Sequence, residues 1–161
     1  MDYSIVTRDL AQNPMVSIRQ RHARGELPGF LGRAFGKLFG NLRLLGVKPA
    51  GPPFVIYHQF GLEGVDAEVC VPVARAVSAS GTIEARVLPA VTVASTLHVG
   101  RYEDLGAAYA ALTDWIPRHG FDAAGPAQER YLNGPGDEFP PAEYRTEVEI
   151  PIVPQTAGVP G

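Results

Sequence analysis

Residues 45–59 read LGVKPAGPPFVIYHQ, and residues 119–133 read HGFDAAGPAQERYLN. Gly46 and Gly120, Gly51 and Gly125, Pro52 and Pro126, and Tyr57 and Tyr131 are all 74 residues apart. Further on, EVCVPV (68–73) is answered by EVEIPI (147–152) at a spacing of 79. The five extra residues fall in NGPGDEFPPAEY (133–144), which reads as a longer loop. Self-similarity at a fixed offset marks an internal duplication and decides the fold before any single element does.

The repeat extends backward through a helix. Leu31, Ala34, Phe35, Leu38 and Leu42 stand opposite Leu105, Ala108, Tyr109, Leu112 and Ile116 at the offset of 74. Steps of three and four residues place each set on one helix face. Gly46 and Gly120 follow, where left-handed backbone costs a glycine little. The alternating runs MVSIRQRHARG (15–25) and VTVASTLHVGR (91–101) precede the two helices. Each half therefore reads strand, strand, helix, strand, strand. Strands are expected over 3–8, 15–22, 53–60 and 67–73, then 83–88, 91–98, 127–132 and 145–151. Helices are expected over 29–45 and 102–118, a tight reversal at Pro89–Ala90, and a frayed tail over 154–161.

The fold class that follows is α+β. A pseudo-twofold duplicated unit forms an antiparallel sheet, helices pack on one face, and a central cleft lies where the halves meet. The domain is single, built of halves 1–78 and 79–153. The apolar stripe of each helix needs one sheet face, which leaves the opposite face to be explained. Gly32, Gly36 and Gly40 form a smooth ridge along the first helix. At roughly 1 kcal/mol each against alanine in an exposed helix, the ridge predicts close packing on a second element.

Composition narrows the function. The chain has 161 residues, 45% hydrophobic and 19% charged, with Gly 18 and Pro 15, as suits one soluble domain of short elements. Its net charge of -3 hides an asymmetry: +5 over residues 1–50 and -8 over 51–161. The basic residues are dispersed, so a solvated face is preferred to a nucleic-acid surface. One cysteine, Cys70, excludes a disulfide framework or thiolate metal cluster. No signal peptide opens the chain and no run nears the roughly 20 apolar residues of a membrane span. A cytoplasmic protein with no membrane contact is expected. His22, His58, His98 and His119 lack metal-ligand spacing, so no metal and no cofactor are expected. GRAFGKLFG (32–40) lies inside a helix and is no dinucleotide fingerprint.

The chemistry centres on Glu129. Its repeat counterpart is Val55, so one position is apolar in one half and acidic in the other. A buried carboxylate without a partner costs several kcal/mol or gives up its charge. An arginine, a proton or a cationic ligand would answer it. Tyr131 shares its strand face. Tyr57 is paired with Tyr131 by the repeat, Tyr102 and Tyr144 are the better pocket candidates, Trp115 lies off the helix stripe and could cap a pocket or an edge, and His98 reaches a pocket rim or bonds a loop. Phe35 and Tyr109 read as core. A carboxylate ringed by aromatic faces suits a bulky organic cation. The same acid, its pKa raised by burial, could instead act as general base on water with a tyrosine hydroxyl beside it.

Together GPPFVIYHQF (51–60), DAEVCVPV (66–73), HVGRYEDLGAAYAALTDWI (98–116), GPAQERYL (125–132) and TEVEIPI (146–152) resemble the GyrI-like small-molecule-binding domain, also called the bacterial transcription-activator effector-binding domain. The resemblance runs from about residue 3 to 152. It implies a two-fold related β-α-β-β unit, a ligand cleft between halves, and amphipathic or cationic aromatic ligands. It places the pocket glutamate at Glu129, with Tyr131 two residues on and Tyr57, Tyr102 and Tyr144 as pocket aromatics. The resemblance begins almost at residue 1 and leaves no room for a DNA-binding part, so direct nucleic-acid binding is not expected. Three roles remain: binding a hydrophobic or cationic small molecule, hydrolysing strained cyclopropane-type toxic compounds with Glu129 and Tyr131 as catalytic residues, or inhibiting a topoisomerase-type protein partner. The last would use the charge asymmetry, the glycine ridge and Arg33, Lys37 and Arg43.

Overall fold

In the computed structural model, which describes residues 2–156, the periodicities become two α-helices and nine strands among the described residues. Helix α1 (Leu27–Leu45) buries Phe30, Ala34, Leu38 and Leu42, each four residues after the last. That step returns the chain to nearly the same face. Gly46, at φ 68°, ends it, and the Val47 N–H reaches back to the Leu42 carbonyl at 2.9 Å. Helix α2 (Leu105–Arg118) repeats the pattern with Leu105, Ala108, Leu112 and Ile116. Full burial of Leu38 and of Leu112 contributes about 2 kcal/mol apiece. α2 starts three residues later than expected, because Tyr102–Asp104 form a 3-10 turn.

The strands are β1 (Ile5–Leu10), β2 (Asn13–His22), β3 (Phe54–Gly61), β4 (Gly64–Pro72), β5 (Glu84–Leu88), β6 (Val91–Val99), β7 (Phe121–Ala123), β8 (Gln128–Tyr131) and β9 (Arg145–Pro154). The chain divides into two compact units, one of residues up to Leu10 with those from Val91 onward, the other of Ala11–Ala90. The first holds α2 and strands in the order β1-β6-β9-β8, with β7 also on β9. The second holds α1 and the order β5-β2-β4-β3. All these pairings are antiparallel.

The α1 and α2 units are thus the same topology built twice, but their bounds differ from the sequence halves 1–78 and 79–153. β1 pairs with β6 and β5 with β2, so the first strand of each half belongs to the other half's unit. For the same reason Pro89–Ala90 is no hairpin turn. β6 already has β1 on one side and β9 on the other. The duplicated Gly-Pro corners match in detail. Ala50 N–H donates to Pro72 O at 2.9 Å and Ala124 N–H to Pro151 O at 2.8 Å. A methyl on Gly51 would meet Pro72 Cγ at 3.6 Å, and one on Gly125 would meet Pro151 Cγ at 3.4 Å.

Two further expectations change. The short β7 extends the pairing of β9 to Pro154, and the Gln155 amide donates to the carbonyls of Pro117 and Phe121 at 3.3 and 3.2 Å. The chain is therefore held through Gln155, beyond the expected start of the tail at 154; residues 157–161 of that tail lie outside the described residues. Among the described residues, the glycine ridge of α1 meets no second element. A methyl at Gly32, Gly36 or Gly40 would meet no atom within 4 Å. Two residues on from Phe30, Ala34 and Leu38, these glycines lie on the side away from the buried stripe. Among the described residues, no helix is long and apolar enough to cross a membrane.

Candidate functional site

The α2 unit sorts its side chains by strand alternation. Glu129 pairs with Val148 and Tyr131 with Thr146; on the other side of β9, His98 of β6 also pairs with Thr146. Val148 and Ile150 belong to the core that packs with Leu105, Ala108, Leu112 and Ile116 of α2. Directly paired residues share a face, so Glu129, Tyr131, Thr146 and His98 all lie on the face covered by α2, not on the opposite face. Arg130 and Gln128 alternate to that opposite face. There the Gln128 amide donates to Glu149 Oε1 at 2.8 Å and Arg130 Nη2 stands 3.2 Å from the same oxygen.

Glu129 is only 7% exposed. Tyr109, on the inner side of α2, donates its hydroxyl to Oε2 at 2.5 Å, and Tyr131 donates to Oε1 at 2.8 Å. Burial raises the carboxyl pKa above its ordinary value; the two phenol hydrogen bonds and the nearby His98 pull the other way without cancelling it. Each carboxylate oxygen accepts one hydroxyl and keeps a second acceptor site open in valence. The acid is therefore held by neutral donors, with no cation hydrogen-bonded to it among the described residues.

Two further aromatics join Tyr131 beside this pair of hydroxyls. Tyr102, on the 3-10 turn before α2, sets its ring edge-on to Tyr131 with centroids 5.7 Å apart and lies 5.1 Å from Tyr144. Burial first, then the proximity of Tyr144, Glu129 and Asp137, pushes the Tyr102 pKa up to about 12. It remains a protonated phenol at any ordinary pH. A methyl on Gly134 would fall 2.5 Å from the Tyr102 hydroxyl, so a glycine is what lets that ring sit there. The loop carrying Gly134 is fixed by Gly134 N–H to Asp137 Oδ2 at 2.9 Å and by Arg145 N–H to Asn133 Oδ1 at 2.6 Å. Gly100, at φ 141°, donates its N–H to Tyr144 O at 2.8 Å and ties the end of β6 to the same loop.

His98 is 1% exposed, with Nε2 3.0 Å from Arg101 O and Nδ1 2.8 Å from the Tyr3 hydroxyl. A carbonyl can only accept, so Nε2 carries a proton, and in the neutral ring Nδ1 accepts from Tyr3. His98 thus bonds the loop and braces the side of the site. Glu129, Tyr131, Tyr102, Tyr144 and His98 are brought together. One expected residue, Trp115, lies at another end of the unit. Trp115 stacks on His119 at 4.0 Å and on Phe121 at 6.1 Å, covering the C-terminal end of α2. Tyr57 belongs to the α1 unit, where it packs edge-on against Phe60 at 5.9 Å. Tyr109, read as core, does both jobs: its ring packs with the α2 core and its hydroxyl holds the acid. The signal lay in the repeat, where Phe35 becomes Tyr109 at the same offset at which Val55 becomes Glu129.

Known structures share this architecture. The EcmrR–DNA complex superposes with a TM-score of 0.84 at 22% identity over 96% of this chain; the chain spans 58% of the EcmrR length. A hydrolase encoded by lin2189 from Listeria innocua gives 0.71 at 10% identity, covering 92% of this chain and 91% of that one. SAV2435 bound to tetraphenylphosphonium gives 0.64 at 17% identity, covering 95% and 94%. No curated protein sequence matches the chain. The family model for the GyrI-like small molecule binding domain matches residues 1–153. With the fold agreeing throughout that span, the chain belongs to the GyrI-like small-molecule-binding domain family.

Proposed function

We propose that the α2 unit binds an amphipathic organic cation at Glu129, with Tyr102, Tyr131 and Tyr144 supplying aromatic area. One observation carries the reading: a nearly buried carboxylate whose hydrogen-bond partners are phenols and not guanidinium groups. Phenols orient the acid but do not neutralise it, and a cation over aromatic faces does. A relative of the same fold is bound to tetraphenylphosphonium, a cation of this class. Titration calorimetry with tetraphenylphosphonium tests it. Glu129→Gln keeps size and one acceptor and should weaken binding about 30-fold, the equivalent of ~2 kcal/mol. Equal affinity in the two proteins would remove the electrostatic role.

A second reading has its own support. An acid with a raised pKa between two hydroxyl donors is the arrangement needed to activate water on a strained electrophile and hold the charge that develops. A structural neighbour is a hydrolase. Incubation with an activated cyclopropane and mass spectrometry separates the two: a time-dependent mass gain of one water that is lost in Glu129→Gln supports hydrolysis, and unchanged stoichiometric ligand supports binding alone.

A further inference from the structure

Thr146 is fully buried, and among the described residues its hydroxyl has no hydrogen-bond partner. It lies in the floor of the site, between Tyr131 on one neighbouring strand and His98 on the other. A buried polar group left unpaired costs about as much as a lost hydrogen bond, so its presence asks for a reason. The α1 unit shows that the fold does not require it. The register that sets Tyr131 opposite Thr146 sets Tyr57 opposite Ala67 in that unit. Of the positions that gain a polar group in the α2 unit, three belong to this site: Glu129 for Val55, Tyr109 for Phe35 and Thr146 for Ala67. The first two bond to each other. The third has no such partner.

We propose that Thr146 is a specificity-determining residue that accepts a hydrogen bond from an N–H of the bound cation, so that the site selects protonated or N–H-bearing amines over cations that carry no N–H. The inference rests on the reading of Glu129 as the cation's counter-charge. Glu129 and Thr146 occupy diagonal positions on β8 and β9. Side chains at such positions rise from the same face with backbones about 7–8 Å apart, so both oxygens lie within the span of one cation that carries two N–H groups. Each Glu129 oxygen still has acceptor capacity beyond its phenol partner, and the Thr146 oxygen has all of its own. An ammonium or amidinium with two N–H groups satisfies both strands. A quaternary cation answers only the charge.

Two triarylmethane dyes test this: pararosaniline, which carries N–H groups, and crystal violet, its fully N-methylated relative. Thr146→Val keeps the branched shape and deletes the hydroxyl. Calorimetry should show pararosaniline binding weakened about tenfold in Thr146→Val and crystal violet binding unchanged. Equal affinity of pararosaniline for both proteins, or an equal loss for both dyes, overturns the proposal. Glu129→Gln run alongside separates the two layers: loss of both dyes in Glu129→Gln with no effect of Thr146→Val leaves the cation reading standing and removes the role of Thr146, whereas no binding of either dye to the wild type removes both. The unliganded melting midpoint gives an independent check. It should be equal or higher in Thr146→Val, since no bond is broken; a fall of several degrees would show the hydroxyl already bonded in the free protein, and would overturn the proposal.

Discussion

The α1 and α2 units fold the same way and treat one position oppositely. Val55 is 0% exposed on β3 and packs as an ordinary core residue; Glu129, its counterpart on β8, is a carboxylate nearly as deeply placed. The exchange was not made alone, since a hydroxyl arrived with it on the facing helix, Tyr109 for Phe35. The α1 unit has its own buried acid at Glu68, on the other face of its sheet, and satisfies it differently. Ser17 donates to Oε2 at 2.7 Å, His58 Nε2 stands 2.8 Å from Oε1, and Arg86 Nε is 3.2 Å from Oε2. There the charge is met by a guanidinium within the fold. At Glu129 the hydrogen-bond partners among the described residues are two phenols. The lesson is that burial alone does not mark a site. A buried acid answered by a cation is accounted for within the fold, and one answered by neutral donors is what the proposed cation site rests on.

The sharpest way to break this comparison is to write the α2 answer into the α1 unit. Val55→Glu buries a carboxylate at a fully enclosed position where the matching helix residue, Phe35, has no hydroxyl to offer. Stability should fall by about 3–5 kcal/mol, measured by urea unfolding. Adding Phe35→Tyr should restore about 1–2 kcal/mol of that, because a hydrogen bond to a charged acceptor exceeds a neutral one. Tyr57 already stands at the counterpart of Tyr131. If Val55→Glu proves harmless, the position is wetter than its burial states. If the double substitution restores nothing, the Tyr109–Glu129 pairing is not the device that makes the α2 acid tolerable.

Much of this was legible in the sequence because duplication doubles the signal. The offset of 74 located both helices, both Gly-Pro corners and the Val55/Glu129 difference before any coordinates. Strand exchange was not legible. A strand carries its face in its alternation but not the identity of its neighbour, so nothing in IVTRDL or EARVL says which unit each joins. The glycine ridge misled because helical spacing names a face without saying what, if anything, covers it. Tyr109 was read rightly as core, but the role of its hydroxyl was missed for a related reason. An apolar stripe predicts where a ring goes, and the same ring delivers a hydroxyl wherever its tip ends. The offset of 79 sets Thr146 against Ala67 in the sequence, but only burial and bonding show that its hydroxyl is enclosed and unpaired among the described residues.

The two units should also respond to pH with opposite sign. Burial raises the Glu129 pKa above that of the unfolded chain, so this group favours folding at low pH and loses that contribution as pH rises through its folded value. Asp66 in the α1 unit is held low chiefly by Arg19, whose Nε and Nη2 donate to its two oxygens at 2.9 Å each. It contributes stability above the unfolded pKa and loses it as pH falls through the depressed value. Unfolding free energies measured from about pH 3 to pH 8 should therefore diverge. Glu129→Gln should gain on wild type as pH rises. Asp66→Asn should fall behind wild type as pH rises, by no more than about 1 kcal/mol because Arg19 is 45% exposed. Parallel curves for the two variants would mean that the acids do not differ in their surroundings as described.

The smallest change probes the aromatic wall without touching the acid. Gly134 has no positive φ to protect, so alanine is acceptable to the backbone, yet its methyl would lie 2.5 Å from the Tyr102 hydroxyl. The tip of a tyrosine can swing away, so the stability of Gly134→Ala should stay within about 0.5 kcal/mol of wild type. The swing carries the ring off Tyr131 and Tyr144, its partners at 5.7 and 5.1 Å. If those rings form the surface on which a cation lies, tetraphenylphosphonium affinity should drop about threefold to tenfold. The same substitution has no analogue in the α1 unit, because the loop bearing Gly134 is the segment by which the two repeats differ in length. An unchanged affinity with an unchanged melting midpoint would detach Tyr102 from the ligand and leave its packing on Tyr131 as a matter of fold alone.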